Sequence, residues 1–365
     1  MKDNHNKISP FQLSFLILQT QIGVGVLSLP YTVYTVSKGD AWISTLLAGL
    51  FVQLAIVIIW FLCRRYPQYS IFRISTLLLG RHFSILINLV YLIYFVMVGC
   101  LTITLFSRVL DIWVLPLTPN WVPILLLILT TVYLINENLR IVARFYVVVS
   151  FLLIFLFLLV SYSIKGSNLL YIMPIGNSGV IAILKGSKEA LISMLGFEVI
   201  LVAFASTQGE SNGKLKAATF ANIFVTLFYA YLVFICSIYF SPKEIVIVPE
   251  PVLYLLKAFS FTVIERTDLI FLSIWIISVA TSVMTYLYLA SNCLSYLFKK
   301  KSHRKTLGFV AVGIFICAII PQTEQSLETI SGIVEKGSLV VIVIIPLFLL
   351  LLSLFKGTKE VDIYE

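Results

Sequence analysis

Charge is scarce in this sequence. Asp, Glu, Lys and Arg together make up 12% of its 365 residues, about half the share of an ordinary soluble domain. Apolar residues make up 60%, and the mean hydropathy is +1.03. A water-soluble core has no room for that much apolar surface, because surface grows too fast with chain size. A lipid bilayer has. Histidine and cysteine are sparse as well. His5, His82 and His303 fall near the ends of apolar segments and build no metal site. Cys63, Cys100, Cys236, Cys293 and Cys317 lie in or at the ends of apolar segments, and none form a C-x-x-C pair. They read as small buried hydrophobes rather than disulfides or ligands. There is no H-E-x-x-H, no phosphate loop, and no His–Asp or Cys–His pair at a segment end, so neither an enzyme nor a cofactor is expected. The net charge of +9 would point to nucleic acid in a soluble protein. Here the basic residues sit between apolar segments, the pattern of topogenic charge, and no nucleic-acid partner is expected.

What the chain does have is long apolar runs. A membrane-spanning helix needs about 20 mostly apolar residues. Candidates lie at roughly 11–36, 41–62, 83–107, 121–136, 145–164, 189–206, 217–241, 269–298, 306–321 and 337–355. The first follows Lys2 and Lys7 as a signal peptide would, but it is too long, holds Pro30 and lacks an A-x-A site, so it reads as a retained helix. With the N-terminus inside, most of the 26 Lys and Arg residues fall on the inner side, which predicts that both termini are cytoplasmic. The run Lys299-Lys300-Lys301 fits a cytoplasmic stop signal, and the basic loop 299–305 is also a candidate docking surface. Loop 242–266 carries Pro-Glu-Pro and then Val252-Leu253-Tyr254-Leu255-Leu256, a candidate short helix over the outer mouth. Arg108 with Asp111, and Glu265, Arg266 and Asp268, read as membrane-edge charges.

Segment lengths repeat from one half of the list to the other. The fourth and ninth are short, and the third and eighth are long. Five spans is an odd number, so the second half must be inverted relative to the first. The predicted fold is an all-α integral membrane protein of about ten transmembrane helices. It forms one membrane domain over 1–365, a five-plus-five inverted repeat over about 11–164 and 189–355 with helices one and six broken.

The breaks are visible as residues. Segment one holds Gly23, Val24 and Gly25, with Pro30 following. Glycine weakens a helix, and proline removes a donor and frees a carbonyl. Close packing of small residues competes with that explanation. Segment six holds Leu195, Gly196, Phe197 and Glu198. A carboxylate in hydrocarbon costs at least about 2.5 kcal/mol, so it needs a partner or a role. Glu198 can accept hydrogen bonds from N–H groups freed at Gly23–Val26, bind a ligand ammonium, or carry a proton. Segment eight adds a polar stripe of Thr281, Ser282, Thr285, Tyr286 and Tyr288, with Ser282 and Tyr286 on one face. Back-bonding to the carbonyl four residues earlier competes for each hydroxyl. Tyr94 and Val98 share a face of segment three, where core packing competes more strongly still.

The residues I-S-P-F-Q-L (8–13), I-G-V-G-V-L-S-L-P (22–30), L-G-F-E (195–198) and the W-I-I…Y-L-Y-L-A-S-N run (275–292) resemble the spore germination permeases. These are the B subunits of nutrient germinant receptors, within the amino acid–polyamine–organocation superfamily. The resemblance covers essentially the whole chain. It implies a transporter-type fold and a nutrient-sensing role in the spore inner membrane, beside an A subunit and a lipoprotein C subunit. The implied ligand is a small nutrient, commonly an amino acid. The implied pocket is walled by Gly23, Val24, Gly25, Tyr94, Val98, Leu195, Gly196, Phe197, Glu198, Thr281, Ser282 and Tyr286. The competing expectation is an amino acid or amine transporter coupled to H⁺ or Na⁺. Its sodium site would use Thr281 and Ser282, or its proton would ride on Glu198.

The topology has a direct test. In intact cells, an Asn4→Cys variant should resist a membrane-impermeant thiol reagent and label only after permeabilisation. Labelling from outside would reverse the orientation.

Overall fold

The computed structural model describes residues 7–258, 266–320 and 323–356. Its regular elements are all helices, and no strand occurs among the described residues. In lipid every backbone group must be satisfied within the protein, and a helix does so locally.

The first span is two helices, α1 (Pro10–Gln21) and α2 (Gly25–Ser37). A capping box starts α1: the Ser9 hydroxyl accepts from Gln12 N, the Gln12 side chain accepts from Ser9 N, and Pro10 fills the first helical position. Next come α3 (Ala41–Arg65), α4 (Ile71–Trp113), α5 (Trp121–Ile135) and α6 (Leu139–Ser161). The second half opens with α7 (Gly179–Ser193), a break, and the short α8 (Ile200–Ala203), bent by 55°. It continues with α9 (Ser211–Tyr239), α10 (Pro251–Lys257), α11 (Thr267–Leu297), α12 (Arg304–Ile319), α13 (Glu324–Ser338) and α14 (Ile345–Lys356). A π-helical turn, Leu339–Ile344, joins the last two.

Six helical stretches are long and apolar enough to cross a bilayer, and the bent α7–α8 pair makes a seventh. One of the six, Gly25–Arg65, turns at Lys38 (φ 46°), and its two arms α2 and α3 pack on each other and on α7. The shorter α5, α12 and the α1 half-helix complete an arrangement of about ten crossings with a broken helix leading each half. Exposed apolar side chains such as Leu86, Ile93, Phe151, Leu158 and Phe309 face outward, where lipid rather than water is their partner. The first described residues and the end of α14 lie on one side, here called the terminal face, where Arg65 at the end of α3 donates to Ser353 O at 2.9 Å.

Several boundaries differ from expectation for a common reason. The sixth span begins at Gly179, not 189, and the last begins at Glu324, not 337. Both starts carry charges that a hydropathy window rejects. The structure pairs those charges: Arg108 with Glu324 at 2.5 Å and Lys188 with Glu335 at 2.6 Å. Arg108 therefore pairs with Glu324, and Asp111 is not the partner in either pair. Likewise α4 begins at Ile71, twelve residues before the expected 83, and bends where Gly80 adopts φ 79°, ψ 175°. Arg266 pairs with Asp268 at 2.7 Å, while Glu265 lies outside the described residues. The expected short helix in loop 242–266 is α10. It buries Val252, Leu253, Leu255 and Leu256, and Tyr254 meets Trp113 at the end of α4, with ring centroids 4.9 Å apart. Burial pushes the Glu250 carboxyl at the start of α10 up, against the opposing pull of Arg108. All five cysteines are free, four of them buried.

On the face opposite the termini, a buried carboxylate holds the connections together. Asp40, in the α2–α3 turn, accepts from Gly176 N at 2.7 Å and Ser178 N at 3.0 Å. The Ser178 hydroxyl donates back to the Ser37 carbonyl at 2.7 Å. Asp40→Ala should cost about 1–3 kcal/mol, the desolvation cost of the stranded donors. Thermal unfolding in detergent checks this, and an unchanged midpoint would show that the clasp contributes nothing.

Candidate functional site

Both breaks lie at the same depth because each needs the other. α1 ends at Ile22, whose backbone is extended (φ −85°, ψ 92°). The carbonyls this frees are taken by side chains from elsewhere. Tyr229 of α9 donates to Gln21 O at 2.8 Å. Ser282 of α11 donates to Thr20 O at 2.9 Å, and Trp275 Nε1 to Gly23 O at 3.3 Å. In the second break Gly196 has φ 129°, a left-handed conformation that only glycine adopts freely. A Cβ there would sit 2.7 Å from Gln21 N and 2.8 Å from Thr20 O. The two interrupted helices thus touch backbone to backbone. Gly23 and Gly25 serve both the break and close packing: a Cβ at Gly23 would meet Ser282 Oγ at 2.8 Å, and one at Gly25 would meet Ser193 Cβ at 2.7 Å.

A cavity of about 250 Å³ opens where these elements converge. Pockets for drug-sized ligands run to about 300–1,000 Å³, so this cavity is sized for a smaller solute. Of the twelve expected site residues, Gly23, Val24, Gly25, Val98, Leu195, Ser282 and Tyr286 line it. Tyr94, Gly196, Phe197, Glu198 and Thr281 do not. They form the layer behind. Thr281 Oγ1 lies 3.1 Å from Gln19 Oε1, and Gln19 Nε2 donates to Ser150 at 3.0 Å, tying α11, α1 and α6. The neighbouring Thr285 meets Thr20 hydroxyl to hydroxyl at 2.8 Å. Ser282 and Thr285 also lie near the carbonyls four residues back, so the stripe both back-bonds and bridges to α1.

Glu198 is fully buried, and its partners differ from the expected N–H groups at Gly23–Val26. One carboxylate oxygen accepts from Gly196 N at 2.7 Å. The other accepts from Tyr286 OH at 2.8 Å and Tyr94 OH at 3.2 Å. The physical reason is proximity: the second break frees a donor two residues before the carboxylate, nearer than anything on α1. Glu198 thereby joins its own break to α4 and α11, and Tyr286 connects it to the cavity wall.

Sequence reasoning missed polar lining residues of three kinds: the amide Gln21, the hydroxyls of Ser193, Thr102 and Ser331, the last on α13, and the carboxylate Glu189. Gln21 is the most telling. It is 2% exposed; its Nε2 donates to Met194 O at 2.9 Å, and its Oε1 has no partner among the described residues. An unpaired buried acceptor costs about 1–3 kcal/mol and offers itself to a donor in the cavity. Gln19-Thr20-Gln21 just before two glycines was the available signal, since amides are expensive in a spanning helix.

The cavity rises toward the opposite face, where Thr32, Glu189 and Ser331 are partly exposed. Toward the terminal face, the Glu198–Tyr94–Tyr286 layer lies beneath it. Below that, the first described residues are strapped down: Ile8 N donates to Ser206 O at 2.9 Å and Gln208 N to Ile8 O at 2.8 Å.

Two interrupted helices crossing at a small central cavity define the fold of the inverted-repeat transporters. Solved structures agree on the fold. MhsT in complex with L-phenylalanine superposes with a TM-score of 0.68 at 15% identity, covering 97% of this chain and 90% of that one. A Na⁺-coupled sialic acid symporter gives a TM-score of 0.66 at 12% identity, covering 94% and 80%. The sequence carries the assignment further: the model of the family described as "Spore germination protein" matches residues 7–327. The chain belongs to the spore germination permease family. Among relatives, spore germination protein YndE of Bacillus subtilis is 27% identical over 360 residues, 97% of this chain and 98% of the relative. Spore germination protein GerQB of Bacillus cereus is 30% identical over 272 residues, 74% of each.

The contact between the breaks makes a sharp prediction. Gly196→Ala should lower stability by more than the roughly 1–3 kcal/mol of a strained backbone, because its Cβ also strikes main chain. Gly213→Ala, with nothing within 4 Å, should be neutral or slightly stabilising. Detergent unfolding midpoints compare the two. Equal midpoints would show that the breaks do not press on each other.

Proposed function

We propose that this chain is the nutrient-binding membrane subunit of a spore germinant receptor. It takes an amino acid-like ligand into the cavity between the broken helices and acts through A and C subunits in the spore inner membrane, with both termini cytoplasmic. It carries out no catalysis. The observation that carries this reading is the cavity itself, with the unpartnered Gln21 Oε1 in its wall. That oxygen suits a ligand ammonium. At the start of α2, Val26 N and Leu27 N reach carbonyls only at 3.4 Å, so this helix N-terminus suits a ligand carboxylate. The relatives support the setting, since they include spore germination proteins A2 and B2 of Bacillus subtilis.

A ligand in the cavity touches α2, α4, α7, α11 and α13 together. It shifts the molecule between states only by its differential affinity for them. Tyr286 touches both the cavity and Glu198, so it is the natural relay from an occupied cavity to the layer beneath. A coupled transporter is the second reading, supported by the fold it shares with a Na⁺-coupled symporter.

Binding of a radiolabelled amino acid panel to the purified chain, paired with uptake of the same panel into proteoliposomes, tests both. We expect saturable binding without uptake, weakened about tenfold in Gln21→Leu, the equivalent of one hydrogen bond of about 1.4 kcal/mol. Uptake driven by an imposed H⁺ or Na⁺ gradient would overturn the sensor reading in favour of transport. Binding unaffected by Gln21→Leu would remove that side chain from recognition.

A further inference from the structure

We propose that a second cavity, on the terminal face between the bent start of α4 and the end of α11, binds a phosphate-bearing anion. This cavity has a volume of about 550 Å³. Five cations line it: Arg73 and Arg81 on either side of the Gly80 bend, and Lys299, Lys300 and Lys301 just past α11. No acidic side chain among the described residues lines it. The three ion pairs of the described residues use none of these five. Topogenic charge accounts for cations on one face of a membrane protein. It is satisfied by cations scattered over any loops, and it does not require two distant stretches of chain to bring theirs into one concavity.

The backbone that gathers them is shaped. Gly80 (φ 79°) turns α4 so that Arg73 and Arg81 reach the same cavity. Lys299 has φ 52°, uncommon for a residue with a side chain. Lys300 N donates to Ser295 O at 2.8 Å, curling the lysine run back over the end of α11. The floor is fixed without help from the cations. Thr76 Oγ1 meets Tyr296 OH at 2.7 Å across 220 residues of chain, and Ser75 Oγ donates to Asn88 Oδ1 at 3.1 Å. Five like charges in one hollow repel one another, and a bound anion reverses the sign of that energy. Arginine forks match pairs of phosphate oxygens, and lysines add point charges.

One wall indicates where the phosphate comes from. Ile85 lines the cavity and is 48% exposed. Leu89 and Ile93 follow at four-residue steps, 43% and 55% exposed, so the three form an apolar track leading away from the cations. That combination fits an anionic lipid, its phosphate among the cations and its chain along α4. Basic hollows between helices hold lipid head groups in this way. The proposal is independent of the nutrient cavity.

The test is calorimetric titration of the full chain in neutral detergent with dioctanoyl phosphatidic acid, dioctanoylglycerol and inorganic phosphate. We expect saturable binding of phosphatidic acid, none of the uncharged glyceride, and at least a tenfold loss of affinity in Arg73→Ala/Arg81→Ala. Should that variant fail to fold, Lys300→Ala/Lys301→Ala carries the same expectation on exposed residues. Lys243→Ala/Lys257→Ala, on the opposite face, should bind as the parent does. Competition by millimolar inorganic phosphate would place recognition in the phosphate alone. Binding of the lipid without such competition would place it in the head group and chain together. Either supports the site. Phosphatidic acid binding no better than the glyceride, or binding equally to the charge-deleted variants, would overturn it.

Discussion

The contact on which the rest depends is main chain on main chain: the Gly196 Cα against the Thr20–Gln21 peptide. Both helices are interrupted at this crossing, and each interruption releases polar groups that must be satisfied within the protein. The surrounding structure answers that demand. Tyr229, Trp275 and Ser282 reach in from α9 and α11 to occupy the carbonyls of the first break. Glu198 occupies a donor of the second. The membrane-buried middle of the protein is therefore a polar knot wrapped in apolar helix faces, and the cavity is the space the knot leaves unfilled.

Glu198 shows how such a knot can be both structural and responsive. Its bonds to Tyr94 and Tyr286 span α4 and α11, the two long helices of the two halves. Both bonds fall on one carboxylate oxygen, so only the loss of both tyrosines would strand that buried acceptor, and such losses are larger than the bond itself. Because Tyr286 is also cavity wall, whatever occupies the cavity presses on a side chain already engaged in holding the halves together.

Much of this was legible in the residues. Glycines beside a proline, and a carboxylate inside an apolar run, are expensive in a bilayer, and expense is visible in sequence. That cost located both breaks, and helical spacing put Ser282 and Tyr286 on one face. The partner of Glu198 was not legible, because the nearest free donor depends on how the chain turns at Gly196, a three-dimensional matter. Ser193 and Thr102 were invisible for the opposite reason: a hydroxyl in a spanning helix costs little, since it bonds back to its own turn. Ser331 fell in a stretch that hydropathy rejected as a span. The charged starts of α7 and α13 were lost to hydropathy, because their pairing is with each other and with α4, far away in the chain.

The strap between Ile8 and the Ser206–Gln208 segment consists of two backbone hydrogen bonds. Each is worth roughly 1 kcal/mol, and the fully buried Ile8 side chain adds about 1.5–3 kcal/mol of apolar burial. The strap joins the segment leading into the first broken helix to the segment leaving the second, so neither can swing away from the axis at the terminal face while it holds. One short segment thus moors both interrupted helices at a single point, so that the two are tied together at the terminal face.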